Sequence, residues 1–178
     1  MAAARGAEAD TVAGIMSSKA ADAAYRLIPA RDACEFAAAR RLFEEYAAQL
    51  RIDLCFQGFA EELANLAAIY SPPRGWLLLA QYDGASKGCG ALREFAADTC
   101  EMKRLYVRPE ARGGRLGRCL AEALVMRARE LGYARMLLDT LEEMTAARTL
   151  YRSLGFREIP PYYRNPSEGV VYMELLLS

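Results

Sequence analysis

The sequence predicts a single-domain α/β or α+β protein, and three observations lead to this class. The chain has 178 residues, a length that fits one domain. Apolar residues make up 53% and charged residues 26%, shares that are typical of globular proteins. Strand and helix patterns follow one another in the order β-α-α-β-β-β-α-β-α-β-β. That order predicts a mixed sheet with helices on both faces.

The first predicted elements are a strand and a long helix. Residues 25–28 read as a strand, and Asp32 and Glu35 have the spacing of a helix N-cap and its reciprocal partner. The helix is expected to run to about Leu50. Apolar residues at helical spacing give it one buried stripe, formed by Phe36, Phe43, Tyr46, Ala47 and Leu50.

A second helix and a hairpin are predicted next. Residues 59–68 have a helical pattern, and Pro72-Pro73 ends it. Strands are expected over 76–82 and 88–95. Asp83-Gly84 lies between them and favours a tight hairpin turn.

The second half of the chain alternates strands and helices. Residues 99–107 read as a strand that leads through a glycine-rich turn into a helix, which Gly132 ends. A short buried strand is expected over 135–139, and a helix over 144–154 stops at Gly155. Two closing strands are predicted over 156–159 and 170–177.

The glycine-rich turn over 112–117 has the features of a phosphate-binding loop. Backbone N–H groups at a helix start have no internal partner and lie at the positive end of the helix dipole. Gly113 and Gly114 lack a Cβ, so the main chain can approach an anion closely. Positive charge is added by Arg112, Arg115 and Arg118. Such turns also end strands for structural reasons alone, and the turn by itself leaves both interpretations open.

Two segments together resemble a known family. Arg112-Gly113-Gly114-Arg115-Leu116-Gly117 resembles the Arg/Gln-x-x-Gly-x-Gly/Ala acyl-CoA loop of the GNAT superfamily of N-acetyltransferases. Residues 147–156 resemble that family's Ala-x-x-Leu-Tyr-x-x-x-Gly-Phe signature. The resemblance covers the chain well from Gly75 onward and the first third in outline. Arg115 replaces the central loop glycine, and Met144 stands where the family often has Asn.

The resemblance implies a fold and a cofactor site. The fold would be a mostly antiparallel sheet of six or seven strands, in which strands 99–107 and 135–139 splay apart around the pantetheine arm. Free N–H groups near the end of the first of these strands would bind the pantetheine amides and the thioester oxygen. The residues expected to bind acetyl-CoA are Leu105, Tyr106, Val107, Arg112, Gly113, Gly114, Arg115, Leu116, Gly117 and Arg118.

The resemblance also implies two catalytic residues. Tyr151 matches the signature tyrosine, whose phenol is suited to protonate the departing thiolate. The alternative is a core tyrosine on the apolar face of its helix. Glu101 stands where several family members carry a glutamate base. Its alternative is a structural pair with Lys103, which is two residues on and therefore on the same strand face.

Composition excludes several other chemistries. The chain has no histidine, which rules out Ser-His-Asp and Cys-His nucleophile systems and His-containing zinc sites. Basic and acidic residues both number 23, so no basic excess indicates nucleic acid or an anionic membrane. The five cysteines are odd in number and lack metal-type spacing, and no metal is expected. Without histidine, Cys100 and Cys119 are not expected to act as acyl-accepting nucleophiles.

The domain and its location follow from the same survey. No apolar run approaches the ~20 residues that a membrane span needs. Reduced cysteines favour a soluble, cytoplasmic protein, either a monomer or a homodimer. Residues 1–24 are predicted to be a flexible Ala-rich leader, with a short docked helix as the alternative, and residues 25–178 the catalytic domain.

The function expected from the resemblance is transfer of an acetyl group from acetyl-CoA to a primary amine, in a ternary complex. The alternative is an acyl-CoA-binding sensor whose acceptor site has degenerated, an idea that the changes at Arg115 and Met144 keep open. The candidates for the acceptor pocket are Phe56, Gln57, Phe59, Tyr162 and Tyr163.

Overall fold

The computed structural model describes residues 25–50 and 58–177. Its strands are β1 (Arg26–Pro29), β2 (Trp76–Tyr82), β3 (Ala85–Ala96), β4 (Thr99–Val107), β5 (Arg135–Leu141), β6 (Arg157–Ile159) and β7 (Val170–Leu176). Its α-helices are α1 (Ala33–Leu50), α2 (Phe59–Ala64), α3 (Leu66–Tyr70), α4 (Leu116–Glu130) and α5 (Thr145–Ser153). A short 3₁₀ turn, Pro109–Ala111, follows β4.

The strands form one mixed sheet in the order β1-β2-β3-β4-β5-β7-β6. Neighbouring strands are antiparallel except β4 and β5, which are parallel. The mostly antiparallel sheet with helices on both faces is therefore confirmed. None of the described helices is long and apolar enough to cross a membrane.

Each face of the sheet has its own hydrophobic core. Leu120 and Leu124 of α4 are fully buried against one face, and α5 packs on the same side through Tyr151. Leu42 and Phe43 of α1 are fully buried on the other face, together with residues of α3. The phosphate-type turn and α5 thus lie on one side of the sheet, and α1 to α3 lie on the other.

The local signals in the first half form as predicted. The Glu35 backbone N–H donates to Asp32 Oδ1 at 2.8 Å, and the Asp32 N–H donates to Glu35 Oε2 at 3.1 Å, which is a reciprocal capping box. Asp83 and Gly84 have φ values of 47° and 72°. Two consecutive left-handed residues make the tight turn that matches the twist of a hairpin.

The prediction of one helix over 59–68 is wrong, because this segment forms two short helices that meet at Asn65. Asn65 leaves the helical region with φ of −126°, and its side-chain Nδ2 donates to the Glu61 carbonyl at 2.9 Å. A short polar side chain that bonds the backbone competes with the helix ladder at that point. The predicted leader at residues 1–24 lies outside the described residues.

Candidate active site

Strands β4 and β5 separate and form a V-shaped opening in the middle of the sheet. They pair in register from Thr99 with Arg135 to Glu101 with Leu137, and no pairing follows. From Met102 onward, the β5 side of β4 has no strand partner among the described residues. The predicted splaying of these two strands is confirmed, and it leaves backbone groups of β4 free to bind a ligand.

A bulge at Arg104 shapes the β4 side of the opening. Cys89 of β3 pairs with Tyr106, but Ala91 pairs with Lys103, so β4 has one extra residue between these pairs. Arg104 lies in this bulge and has a left-handed backbone conformation, with φ of 56°. Gly90 of β3 lies opposite the bulge.

A cavity fills the opening and extends from α1 to α5. Its walls come from α1, β4, β5, the start of α5 and the loop before β7, and they comprise Tyr46, Leu50, Met102, Lys103, Arg104, Leu105, Asp139, Thr140, Leu141, Met144, Tyr151 and Asn165. Of the three predicted strand-end residues, Leu105 faces this cavity. Tyr106 instead packs on Tyr46, with ring centroids 5.9 Å apart, and Val107 lies beside the start of α4.

Tyr151 is a buried phenol on the α5 side of this cavity. Its ring packs on Phe156 with centroids 5.7 Å apart. Its hydroxyl has no hydrogen-bond partner among the described residues. Burial raises the pKa of Tyr151 above the ordinary value for tyrosine. The phenol therefore keeps its proton at neutral pH, and that proton is available to a ligand.

Glu101 is buried at the narrow end of the opening and binds three side chains. Its Oε2 accepts from Arg93 Nε at 3.0 Å and Nη2 at 2.8 Å. Its Oε1 accepts from the Tyr162 hydroxyl at 2.8 Å and lies 3.5 Å from Lys103 Nζ. The anticipated Lys103 pair exists, but Arg93, directly opposite on β3, is the closer cation.

A second carboxylate, Asp139, faces the cavity from β5. Its Oδ1 lies 3.1 Å from Lys103 Nζ, and its Oδ2 accepts from the Tyr163 hydroxyl at 3.0 Å. Burial alone would raise the pKa of Asp139, but the charge and hydrogen bond of Lys103 outweigh it and lower the pKa below its usual value. Sequence analysis missed Asp139, because nothing local indicates that it meets Lys103 across the opening.

The predicted phosphate loop lies beyond the wide end of the opening. Among the described residues, none of the backbone N–H groups from Gly113 to Arg118 donates a hydrogen bond within the protein. Gly113 has φ of 86°, a conformation that favours glycine. A Cβ added at Gly114 would meet nothing within 4 Å, so the loop is open to a ligand.

The loop arginines differ in what they contact. Arg112 donates to the Val107 carbonyl at 2.8 Å and to Gln49 Oε1 at 2.7 Å, and so ties the loop to β4 and α1. Arg118 donates to Ser153 of α5 at 2.5 Å. Arg115 is exposed at the start of α4, where its charge adds to that of the helix dipole.

The structure also shows where the predicted acceptor-pocket residues and Cys100 lie. Tyr162 and Tyr163 hold the two carboxylates, whereas Phe56 and Gln57 lie outside the described residues. Burial raises the pKa of Cys100 to about 12, which leaves its thiol protonated and unreactive.

Comparison with known proteins agrees with this geometry. The model of the acetyltransferase (GNAT) family matches residues 36–156. The chain is 45% identical over 141 residues to an uncharacterized N-acetyltransferase of Schizosaccharomyces pombe, in a match that covers 78% of this chain and 86% of that protein.

Solved structures share the fold at low sequence identity. An acetyltransferase of Streptococcus agalactiae has a TM-score of 0.71 at 22% identity, over 85% of this chain and 98% of that one. A Salmonella typhimurium protein solved with its cofactor acetyl-CoA has a TM-score of 0.62 at 21% identity, over 86% of this chain and 94% of that one. Because the family model spans more than half of the sequence and the yeast relative is similar over most of its length, the chain belongs to the GNAT family of acetyltransferases.

Proposed function

We propose that the protein transfers an acetyl group from acetyl-CoA to a primary amine, on a small molecule or a protein surface, directly in a ternary complex. One observation carries this proposal. The Tyr151 hydroxyl, which has no partner among the described residues, faces the same opening whose wide end leads to the free N–H groups after Gly113. This arrangement supports the proposal, because the proposed proton donor and the proposed pyrophosphate-binding loop would share one groove.

The residues present suit acetyl-CoA. Six consecutive N–H groups at a helix start, with open space at Gly114, match the charge and bulk of a pyrophosphate. The unpaired side of β4 offers backbone donors and acceptors to an extended arm that carries amides. When bound, acetyl-CoA supplies the acetyl group as a thioester.

Tyr151 is proposed to donate its proton to the leaving sulfur. Its raised pKa keeps it protonated at neutral pH, so its O–H can donate to the sulfur and pass its proton there as the C–S bond breaks and negative charge develops. No cysteine intermediate is invoked, because Cys100 is buried and held protonated.

Glu101 is proposed to receive the amine proton through Tyr162. The Tyr162 hydroxyl already donates to Glu101, so a proton accepted by the Tyr162 oxygen releases the hydroxyl proton to the carboxylate. Asp139 is the other carboxylate at the site and lines the cavity itself. Comparison of Glu101→Gln with Asp139→Asn separates the two, because the variant without the base loses kcat while acetyl-CoA affinity stays unchanged.

The test is a thiol-release assay with acetyl-CoA and a panel of polyamines, amino acids, aminoglycosides and peptides. Amine-dependent release of CoA, with the acetylated product identified by mass spectrometry, is the expected result. Tight acetyl-CoA binding in calorimetry without release on any amine would instead favour the sensor alternative.

A further inference from the structure

Arg104, at the β4 bulge, has a backbone conformation that its side chain disfavours. Among the described residues, Asp83 and Arg104 are the non-glycine residues with positive φ. Asp83 lies in a hairpin turn, where aspartate tolerates this region. An arginine there crowds its Cβ against the following carbonyl, so neighbouring groups must stabilise the conformation.

The Arg104 side chain is held by a fully buried carboxylate on α2. Its Nε lies 3.1 Å from Glu62 Oε1 and its Nη2 lies 2.5 Å from Glu62 Oε2, and each side chain is 4% exposed. The Tyr70 hydroxyl donates to Glu62 at 2.6 Å, and the Phe59 ring covers the guanidinium at 5.0 Å. A bidentate ion pair of this kind fixes the orientation of the guanidinium as well as its distance from the carboxylate.

The main chain of the bulge is held from β3. The Cys89 thiol donates to the Arg104 carbonyl at 3.5 Å. A Cβ added at Gly90 would meet Leu124 Cδ1 at 2.9 Å and Leu105 Cδ1 at 3.1 Å, so a larger residue there would have to displace two leucine side chains that pack at the bulge. The bulge is therefore held by α2 on one side, through the ion pair between Glu62 and Arg104, and by β3 on the other.

The structure assigns Arg104 and Glu62 as a positioning pair that sets the β4 bulge so that its backbone donors meet the acetyl carbonyl oxygen. This inference rests on the proposed function. Arg104 lies nine residues before Gly113 in the chain, and neither side chain touches the loop over 113–118. Loss of the pair should therefore weaken hydrogen bonding to the acetyl carbonyl oxygen while binding of the pyrophosphate by the loop stays unchanged.

The experiment uses the full chain with acetyl-CoA labelled with ¹³C at the acetyl carbonyl. Its bound chemical shift reports hydrogen bonding to that oxygen and needs no amine. The variants are Glu62→Gln and Arg104→Gly, the second of which accepts a φ of 56° without strain. Leu42→Ala, a core change on α1 that removes no hydrogen bond or ion pair of Arg104 or Glu62, controls for loss of stability.

Both variants are expected to move the carbonyl resonance towards that of free acetyl-CoA, whereas Leu42→Ala keeps the wild-type value. With an amine that proves competent, kcat should fall about 10-fold or more, and KM for acetyl-CoA should change by less than about 3-fold. A wild-type resonance in folded Arg104→Gly or Glu62→Gln would overturn the positioning role alone. Failure of the wild-type protein to bind acetyl-CoA would instead overturn the proposed function.

Discussion

Tyr151 combines a buried ring with a hydroxyl that has no partner among the described residues. Buried hydroxyls are usually hydrogen-bonded, because an unpaired one costs free energy. The local motif Leu-Tyr-x-x-x-Gly-Phe made this residue predictable as a candidate, but the motif does not indicate that its side chain faces the cavity. Its role as an acid remains a prediction.

Tyr151→Phe tests that role with little change in packing. The change keeps the ring on Phe156 and removes the proton. We expect kcat to fall about 100-fold or more, while the free energy of unfolding changes by no more than about 1 kcal/mol because no protein hydrogen bond is lost. Single-turnover kinetics and thermal melts on one preparation measure both. A variant with near wild-type kcat would remove Tyr151 from the mechanism.

Glu101→Gln tests the proposed base. The change should lower kcat and leave acetyl-CoA affinity nearly unchanged, because the amide cannot accept the amine proton. It should also destabilise the fold by about 1–3 kcal/mol, because a buried carboxylate loses its charge while Arg93 is partly exposed and Lys103 keeps Asp139. Steady-state kinetics, acetyl-CoA calorimetry and denaturant titrations separate the two effects. A lowered melting temperature with normal specific activity would assign Glu101 a structural role.

At the scale of elements, β4 carries most of the site. One strand supplies Glu101, the bulge and the free edge, and it runs on into the anion loop. Local patterns predicted this strand, the loop and α5 closely because turn glycines and helical periodicity depend on neighbours in sequence. The Glu101–Arg93 pair depends on strand register, and the Lys103–Asp139 pair joins residues 36 apart in the chain, so neither was predictable.

Gly114→Trp tests the loop between β4 and α4. The position is exposed and a Cβ there meets nothing, so the protein should fold normally. The indole would fill the space in front of the N–H groups, and CoA binding should be abolished. Calorimetry with CoA measures this directly. Arg129→Trp, at the exposed far end of α4, is the matched control and should bind CoA as wild type does.

Undiminished CoA affinity in a folded Gly114→Trp protein would show that the pyrophosphate binds elsewhere.

At the scale of the whole molecule, a charge-balanced cluster joins α2 to the central strands. Its ion pairs form two sets, Arg93–Glu101–Lys103–Asp139 and Arg104–Glu62. The charge of Lys103 also acts on Glu62, and that of Arg104 acts on Asp139, so the two sets are electrostatically connected. The order of strands and helices, together with the two family motifs, predicted the layers on which the cluster is built. The cluster itself was not predictable, since it joins elements that are far apart in sequence.

The cluster should make the fold sensitive to acid. Burial alone would raise the pKa of Glu62, but the hydrogen bond and charge of Arg104, together with the Tyr70 hydrogen bond, outweigh burial and lower the pKa below its usual value, as Lys103 helps to do for Asp139. The unfolded chain then binds more protons than the folded one as pH falls through about 4, and the free energy of unfolding decreases. Urea titrations between pH 7 and pH 3 measure this. Glu62→Gln should give a shallower dependence on pH, and an unchanged slope would contradict the assignment.

The open side of β4 also bears on how this protein behaves without its substrate. Edge strands with free N–H and C=O groups are sites where foreign chains add and aggregates begin, and proteins usually protect them at the rim of a sheet. Here such an edge lies in the interior of the sheet, between β4 and β5, and not at its rim. Under the proposed function, the same edge receives the slender amide chain of acetyl-CoA, and its position inside the sheet keeps it from pairing with other polypeptides.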